Sequence, residues 1–377
     1  MNKKIMFLTG TRADFGKLKS LIRAVDDSPL FECSIFVTGM HTLSRYGYTV
    51  EEVYKEGYKN IHTFMNQIHG EPMDLVLANT IGGLSRFIHE DKPDLIVVHG
   101  DRIEALAGAI VGSLNNILVA HIEGGELSGT IDESIRHSVS KLSHLHFVAN
   151  KEAATRLEQL GEKTENIYII GSPDIDIMLS DKLPSLSDAQ KRYNIHFENF
   201  GIVLYHPVTT EIEHMREYAN NLVRALIDSG HNYVVIYPNN DLGSNDILAE
   251  YKKLENNHRF RIFPSLRFEY FLTLLKNAQF IIGNSSAGIH EAPVFGLPTI
   301  NIGTRQRNRF FHNSIYHISN DYSEIIQATR NVLKTVRREP CFSFGFGNST
   351  ELFMKVLEEG AIWQTSKQKH FQELIPR

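Results

Sequence analysis

Carboxylates and histidines fall directly after apolar runs in this sequence, which is where proton-transfer chemistry finds rigid support. The run DLIVVHG (94–100) leads into HGDR and Asp101, and NILVAHI (116–122) leads into HIEGGELSGTIDESIRH (121–137). His121 ends that second strand, Glu123 and Glu126 flank two glycines, and Asp132 opens a helical pattern through Ile135, His137 and Lys141. Asp101 suits an N-cap as well as a base. Asp132 and Arg136 stand at i,i+4, which predicts an ion pair on one helix face, with Thr130 or Asp132 as cap. A capped helix after a glycine-rich loop is the plain alternative. Against it, ordering so polar a loop costs entropy, and loops at strand ends concentrate function. Glu126 receives no role.

Other segments suit an anion. GTRADFGK (10–17) follows the first apolar run; Gly10 permits a tight turn, and Arg12 and Lys17 add positive charge near free helix-start N–H groups. It lacks the glycine spacing of a Walker loop and of GxGxxG. YHPVTTE (205–211) places His206 at a strand end, with Thr209 or Thr210 as the next helix cap. NSSAGIHEAPVFG (284–296) offers Ser285, Ser286 and Gly288 at a helix start whose dipole favours a diphosphate. Glu291, repelled by phosphate, suits ribose hydroxyls instead. GTRQRNR (303–309) brings three arginines, as a solvated loop or as closure over a nucleotide. Phe268 in RFEYF (267–271) is either a stacking wall for a base or core.

These residues need strands to hold them. KIMFLT (4–9) reads as a buried parallel strand, followed by a helix over about 14–24. CSIFVT (33–38), 94–100, 116–122, LHFVAN (145–150) and IYIIG (167–171) continue the pattern, with helices over 102–114 and 151–160 among them. Segment 172–200 breaks the rhythm and reads as an interdomain connection. GIVLYHP (201–207), NYVVIYP (232–238), FRIFP (260–264), FIIGN (280–284) and LPTINIG (297–303) restart it. The expected architecture is α/β, with two Rossmann-like domains over 1–172 and 201–350 and a shared cleft at their strand ends.

Composition sets limits. At 377 residues, 42% hydrophobic and 22% charged, the chain has globular content for two domains, and its net charge of −5 argues against nucleic acid or anionic membrane as partners. The two cysteines, Cys33 and Cys341, form neither a disulfide framework nor a metal spacing. The N-terminus holds too few apolar residues for a signal peptide, and no run is long enough to span a membrane, so a cytoplasmic protein is expected.

Taken in order, GTRADFGKL, HGDR, HIEGGELSGTIDESIRHSVSKLSH, HPVTT, YPNND, GNSSAG and GTRQ resemble the hydrolysing UDP-N-acetylglucosamine 2-epimerases of sialic acid biosynthesis. Non-hydrolysing relatives carry proline in place of Ala13 and a shorter loop in place of EGGELSGTIDE. The resemblance implies a glycosyltransferase-B-like pair of Rossmann domains, with a last helix from about Glu351 returning to the first. It implies anti elimination of UDP to 2-acetamidoglucal, then hydration to N-acetylmannosamine, without NAD, other cofactor or metal. By the same resemblance Asp101, Glu123 and Asp132 are catalytic carboxylates, and His206 is a site histidine near the diphosphate. Arg12, Ser285, Ser286, Gly288 and Glu291 become nucleotide contacts, with Lys17, Arg136 and Phe268 as further binding residues. A homodimer is also implied, as is use of the product in a capsule polysaccharide. The competing expectations are a UDP- or GDP-linked 2,4-diacetamido-trideoxyhexose as substrate, or a glycosyltransferase of the same architecture.

Overall fold

The computed structural model describes residues 2–373 and divides into two compact units. Unit 1 takes the chain through Glu126, then Asp132–Ser180 and the stretch from Ser343 onward; unit 2 takes Leu127–Ile131 and Asp181–Phe342.

Unit 1 carries seven strands: β1 (Lys3–Thr9), β2 (Phe31–Val37), β3 (Ile61–Thr63), β4 (Leu95–His99), β5 (Leu118–Ile122), β6 (Leu145–Val148) and β7 (Ile167–Ile169). They form one parallel sheet in the order β3-β2-β1-β4-β5-β6-β7. The helices are α1 (Arg12–Asp27), α2 (Val50–Lys55), α3 (Met73–Asp91), α4 (Ile103–Leu114), α5 (Ile131–Leu142), α6 (Lys151–Gln159) and α7 (Pro173–Met178). β1 shows why its sequence is apolar throughout. Ile5 and Phe7 pack with α1 on one face, while Met6 and Leu8 pack with α3 and α4 on the other.

Unit 2 holds β8 (Gly201–Leu204), β9 (Tyr233–Ile236), β10 (Phe260–Phe263), β11 (Phe280–Gly283), β12 (Thr299–Ile302) and β13 (Ile315–Ile318), all parallel, in the order β10-β9-β8-β11-β12-β13. Its helices are α8 (Leu186–Tyr193), α9 (Met215–Ser229), α10 (Ser244–Tyr251), α11 (Phe268–Asn277), α12 (Glu291–Val294) and α13 (Tyr322–Val332). α14 (Ser349–Glu359) belongs to unit 1, where Phe353 and Leu357 enter the core beside Phe7 and Phe147.

Several local expectations change. The 172–200 stretch holds α7 and α8, each short, so it is more than a connection. Strands β3 and β13 carry too little apolar sequence to stand out. Segment 284–296 opens a 3-10 turn, Ser286–Gly288, then the four-residue α12; Pro293 and Gly296 leave no long helix whose dipole could serve an anion. No helix among the described residues is long and apolar enough to cross a membrane.

The chain beyond α14 crosses unit 1 and is pinned by charge. Lys369 donates to the carbonyl of Ser143 at 2.6 Å and to buried Glu162, which also accepts from Lys141 at 3.0 Å and from His146 Nε2 at 2.9 Å. Burial opposes the charge on Glu162, but His146 and Lys369 outweigh it and hold the carboxyl down at about 2. Its folded value lies below the ordinary 4.5, so its contribution to stability is complete above that pH and is lost as pH falls toward 2. Lys369→Met should cost roughly 2 kcal/mol at neutral pH and make the loss on acidification smaller, because the folded value of Glu162 moves back toward 4.5. Urea midpoints measured from pH 7 to 3 check this; an unmoved acid limb would mean that Lys369 does not hold Glu162 ionised.

Candidate active site

Each sheet reverses its strand order once, between β1 and β4 in unit 1 and between β8 and β11 in unit 2. Crevices outside the carboxyl ends at such points are where α/β sheets bind ligands. In unit 1 the turn after β1 is built by Thr11, whose side chain caps α1 by accepting from the Asp14 N–H at 3.1 Å. Asp14 reaches back to accept from the Gly10 N–H at 3.0 Å, so its carboxylate is fixed over the sheet edge. Across the crevice, at the end of β4, His99 Nδ1 lies 2.8 Å from Asp14 Oδ1, and His99 Nε2 lies 3.0 Å from Glu123 Oε2.

Glu123 follows β5 with φ of +60°, a left-handed conformation that is uncommon and costly for a residue with a side chain. Only 4% exposed, it accepts from Ser172 Oγ on its other oxygen, where Lys17 Nζ stands 3.7 Å away. Lys17 also meets the fully buried Asp174 of α7 at 3.1 Å. Its ammonium therefore sits among carboxylates, rather than at the anion site its sequence position suggested. Burial opposes a charge on His99, yet Glu123 and Asp14 overcome it and raise the imidazole to about 10. His121, on β5, is the opposite case. Its Nε2 donates to the Gly100 carbonyl at 2.8 Å, its Nδ1 meets Ser140 Oγ at 3.0 Å, and burial pushes it down to about 3. It is a neutral strut between β4 and α5.

Asp101 does not cap α4: the cap position is Arg102, which makes no side-chain capping bond. The Asp101 carboxylate is gripped by Arg136 of α5, which also donates to the Glu123 carbonyl at 2.5 Å. Sequence spacing had given Arg136 to Asp132; its length lets it reach the β4 and β5 ends instead. Arg136 is 2% exposed; burial works against its charge, and Asp101, Glu126 and Glu123 more than restore it. That gives the buried Glu126 an electrostatic place the sequence did not supply. Asp132 lies in the first turn of α5, half-buried, and Arg12 pairs with Glu52.

The crevice of unit 2 is closed by neutral groups. Asn284 accepts from the His206 N–H at 2.6 Å and donates to its carbonyl at 2.8 Å, joining the ends of β8 and β11 side by side. Gly283, at φ +141°, makes the approach possible, because a Cβ there would stand 2.1 Å from the Leu204 carbonyl oxygen. The Asn239 N–H donates to His206 Nδ1 at 3.0 Å, which puts the proton of the neutral ring on Nε2. Ser285 caps the 3-10 turn by accepting from Ala287 N–H at 3.3 Å. Ser286 is half-buried; Gly288 packs on Thr299, and Glu291 is buried. Gln306 and Arg305 donate to the Asn284 carbonyl at 3.0 and 3.4 Å. Phe268 is buried at the start of α11. Neither Thr209 nor Thr210 caps α9, whose cap position is His214. Asp14, His99, Ser172, Asn239 and Asn284 are the site neighbours that sequence reading passed over, although all but Ser172 lie in the motifs that flagged the site.

A family model described as UDP-N-acetylglucosamine 2-epimerase matches residues 23–358. The chain is 51% identical over 375 residues to a UDP-N-acetylglucosamine 2-epimerase of Neisseria meningitidis serogroup B, covering 99% of each. It is 31% identical over 362 residues to a hydrolysing UDP-N,N'-diacetylbacillosamine 2-epimerase of Legionella pneumophila, covering 95% of this chain and 96% of that one. A solved UDP-GlcNAc 2-epimerase of Methanocaldococcus jannaschii, in complex with UDP-GlcNAc and UDP, superposes with a TM-score of 0.80 at 22% identity, covering 95% of this chain and all of that one. The fold class is accordingly two parallel-sheet α/β units of the glycosyltransferase-B-like kind. With a family model spanning most of its length and a 51% identical relative matched end to end, the chain belongs to the UDP-N-acetylglucosamine 2-epimerase family.

Proposed function

We propose that this protein is a hydrolysing UDP-N-acetylglucosamine 2-epimerase that releases N-acetylmannosamine and UDP, supplying a precursor of sialic acid. The observation that carries the reading is the carboxylate set at adjacent strand ends of unit 1: Asp101 after β4, Glu123 after β5 and Asp132 in the first turn of α5. The full-length 51% identity supports the substrate over the diacetylbacillosamine sugar named for the 31% relative. A glycosyltransferase would have no use for C2 deprotonation, and so none for this set.

In the proposed reaction a carboxylate base takes the C2 proton while the C1–O bond to UDP breaks from the opposite face, giving 2-acetamidoglucal. Water then adds at C1 and a proton returns to C2 from the other side; the sum is substrate plus water to free sugar plus UDP. A C2 proton that no carbonyl acidifies needs well-placed bases and strong stabilisation of the leaving group. Unit 1 supplies the first requirement. Asp101, 22% exposed at its side chain and fixed by Arg136, is a presentable base, and Asp132 is its counterpart in α5. Unit 2 suits the second, through His206 Nε2–H, Ser285, Ser286 and Arg305 on the diphosphate, with Glu291 on the ribose. Arg12, paired with Glu52 in unit 1, is a nucleotide contact on the resemblance alone. Gly288 keeps the serine turn tight against Thr299, and Phe268 backs α11. A cytoplasmic location, from the N-terminus and composition, and a homodimer, from the resemblance alone, belong to the same proposal.

Turnover of UDP-N-acetylglucosamine in deuterated water should give UDP and N-acetylmannosamine carrying deuterium at C2, read by NMR. Unlabelled sugar would remove the elimination route, and turnover only of the diacetamido sugar would move the protein to the rival substrate. Asp101→Asn and Asp132→Asn should each lower kcat by about 100-fold or more while UDP still binds. Near-normal turnover in either variant would strike that residue from the proton-transfer set.

A further inference from the structure

We propose that Asp14 and His99 are positioning residues which act as one device: His99, held as an imidazolium between Asp14 and Glu123 across the β1–β4 crevice, fixes Glu123 as an oriented anion during turnover. The inference rests on the function proposed above and deepens it.

The contacts are electrostatic. His99 Nδ1 lies 2.8 Å from Asp14 Oδ1 and Nε2 3.0 Å from Glu123 Oε2, ion-pair distances at which neither ring N–H is aligned as a hydrogen bond. Two buried carboxylates at that range favour the imidazolium over the neutral ring. Asp14 cannot turn aside, because its second oxygen is occupied by the Gly10 N–H at 3.0 Å. Glu123 is held equally, by Ser172 Oγ on its other oxygen.

The surrounding charges agree. From α1 come Asp14 and Lys17, from α7 Asp174, and from α5 Arg136, which binds the Glu123 carbonyl; His121 of β5 is buried and neutral. Without a charge on His99, Asp14 and Glu123 would lose the cation between them, while Lys17 is shared by Glu123 and Asp174 and Arg136 is committed to the Glu123 carbonyl and to Asp101. Such a cluster relieves itself by taking up a proton or letting a carboxylate swing away. Either event removes the fixed anion from beside Asp101 and Arg136. Asp14, which approaches no reacting atom in this scheme, thus controls Glu123 from across the crevice.

The raised value near 10 sets the direction of the pH dependence: the arrangement is intact at neutral pH and is lost as pH rises through that range. The test combines 15N NMR of histidine-labelled full-length protein with kcat–pH profiles for wild type, Asp14→Asn and His99→Gln. In wild type, one imidazolium that is absent from His99→Gln should persist above pH 8. In Asp14→Asn, whose amide oxygen still accepts from Gly10, that signal should titrate about one to three pH units lower. The basic limb of kcat should move with it, while KM for UDP-N-acetylglucosamine changes less than threefold. A neutral His99 in wild type at pH 7, or an Asp14→Asn limb that coincides with the wild-type limb, overturns the proposal. Failure of the wild type to turn over this substrate would instead sink the substrate reading, and the NMR titration would still decide the charge of His99.

Discussion

A parallel sheet that grows in both directions from one strand must reverse its order somewhere, and there two neighbouring strand ends are left with connections leading away on opposite faces. The rest of this molecule depends on how that gap is filled. In unit 1 it is filled by charge, with Asp14 after β1 meeting His99 at the end of β4. In unit 2 it is filled by a neutral amide, with Asn284 after β11 pairing with both backbone groups of His206 after β8. Equivalent positions in two similar sheets thus carry two different electrostatic solutions.

The charged solution is expensive. Ion pairs out of water recover their desolvation cost only with good geometry and additional hydrogen bonds, and an apolar replacement is often the more stable one. Here the cost extends to a left-handed Glu123 and a 2% exposed Arg136. Backbone strain and buried charge at one spot, on strands whose remaining residues are ordinary aliphatic core, set function apart from folding. The neutral solution in unit 2 costs little, since the Asn284 amide pairs both backbone groups of His206.

The strands were legible in the sequence for the reason that makes parallel sheets robust: buried on both faces, they read as unbroken apolar runs. β3 (IHT) and β13 (IYHI) mix polar residues into three or four positions and fall below that signal. Helices α7 and α8, of six and eight residues, were masked by the prolines and serines that cap and start them. The site was legible as a set of positions, because the strand ends announced it, and illegible as a set of contacts. Strand order is a tertiary fact, so nothing in HGDR says that His99 faces Asp14, 85 residues earlier in the chain. Local spacing also misled. Asp132 and Arg136 satisfy the i,i+4 rule, but the buried guanidinium reaches Asp101 and the Glu123 carbonyl at the ends of β4 and β5.

The contrast between the two gaps also divides the labour over pH. His206 accepts a backbone N–H on Nδ1, so the neutral ring carries its proton on Nε2, and protonating Nδ1 would break the bond to Asn239. A leaving diphosphate can therefore be met by a donor that need not change its charge. His99 has the reverse logic, since a buried carboxylate on each side favours the charged ring. A nucleotide half built from amides, hydroxyls, a neutral imidazole and an arginine that stays charged would bind with little dependence on pH near neutrality. A proton-handling half built from interlocked carboxylates and cations would set the pH limits of turnover. In the proposed reaction the separation is useful, because the leaving group departs while protons are moved on the sugar, and neither set of groups has to titrate for the other to work.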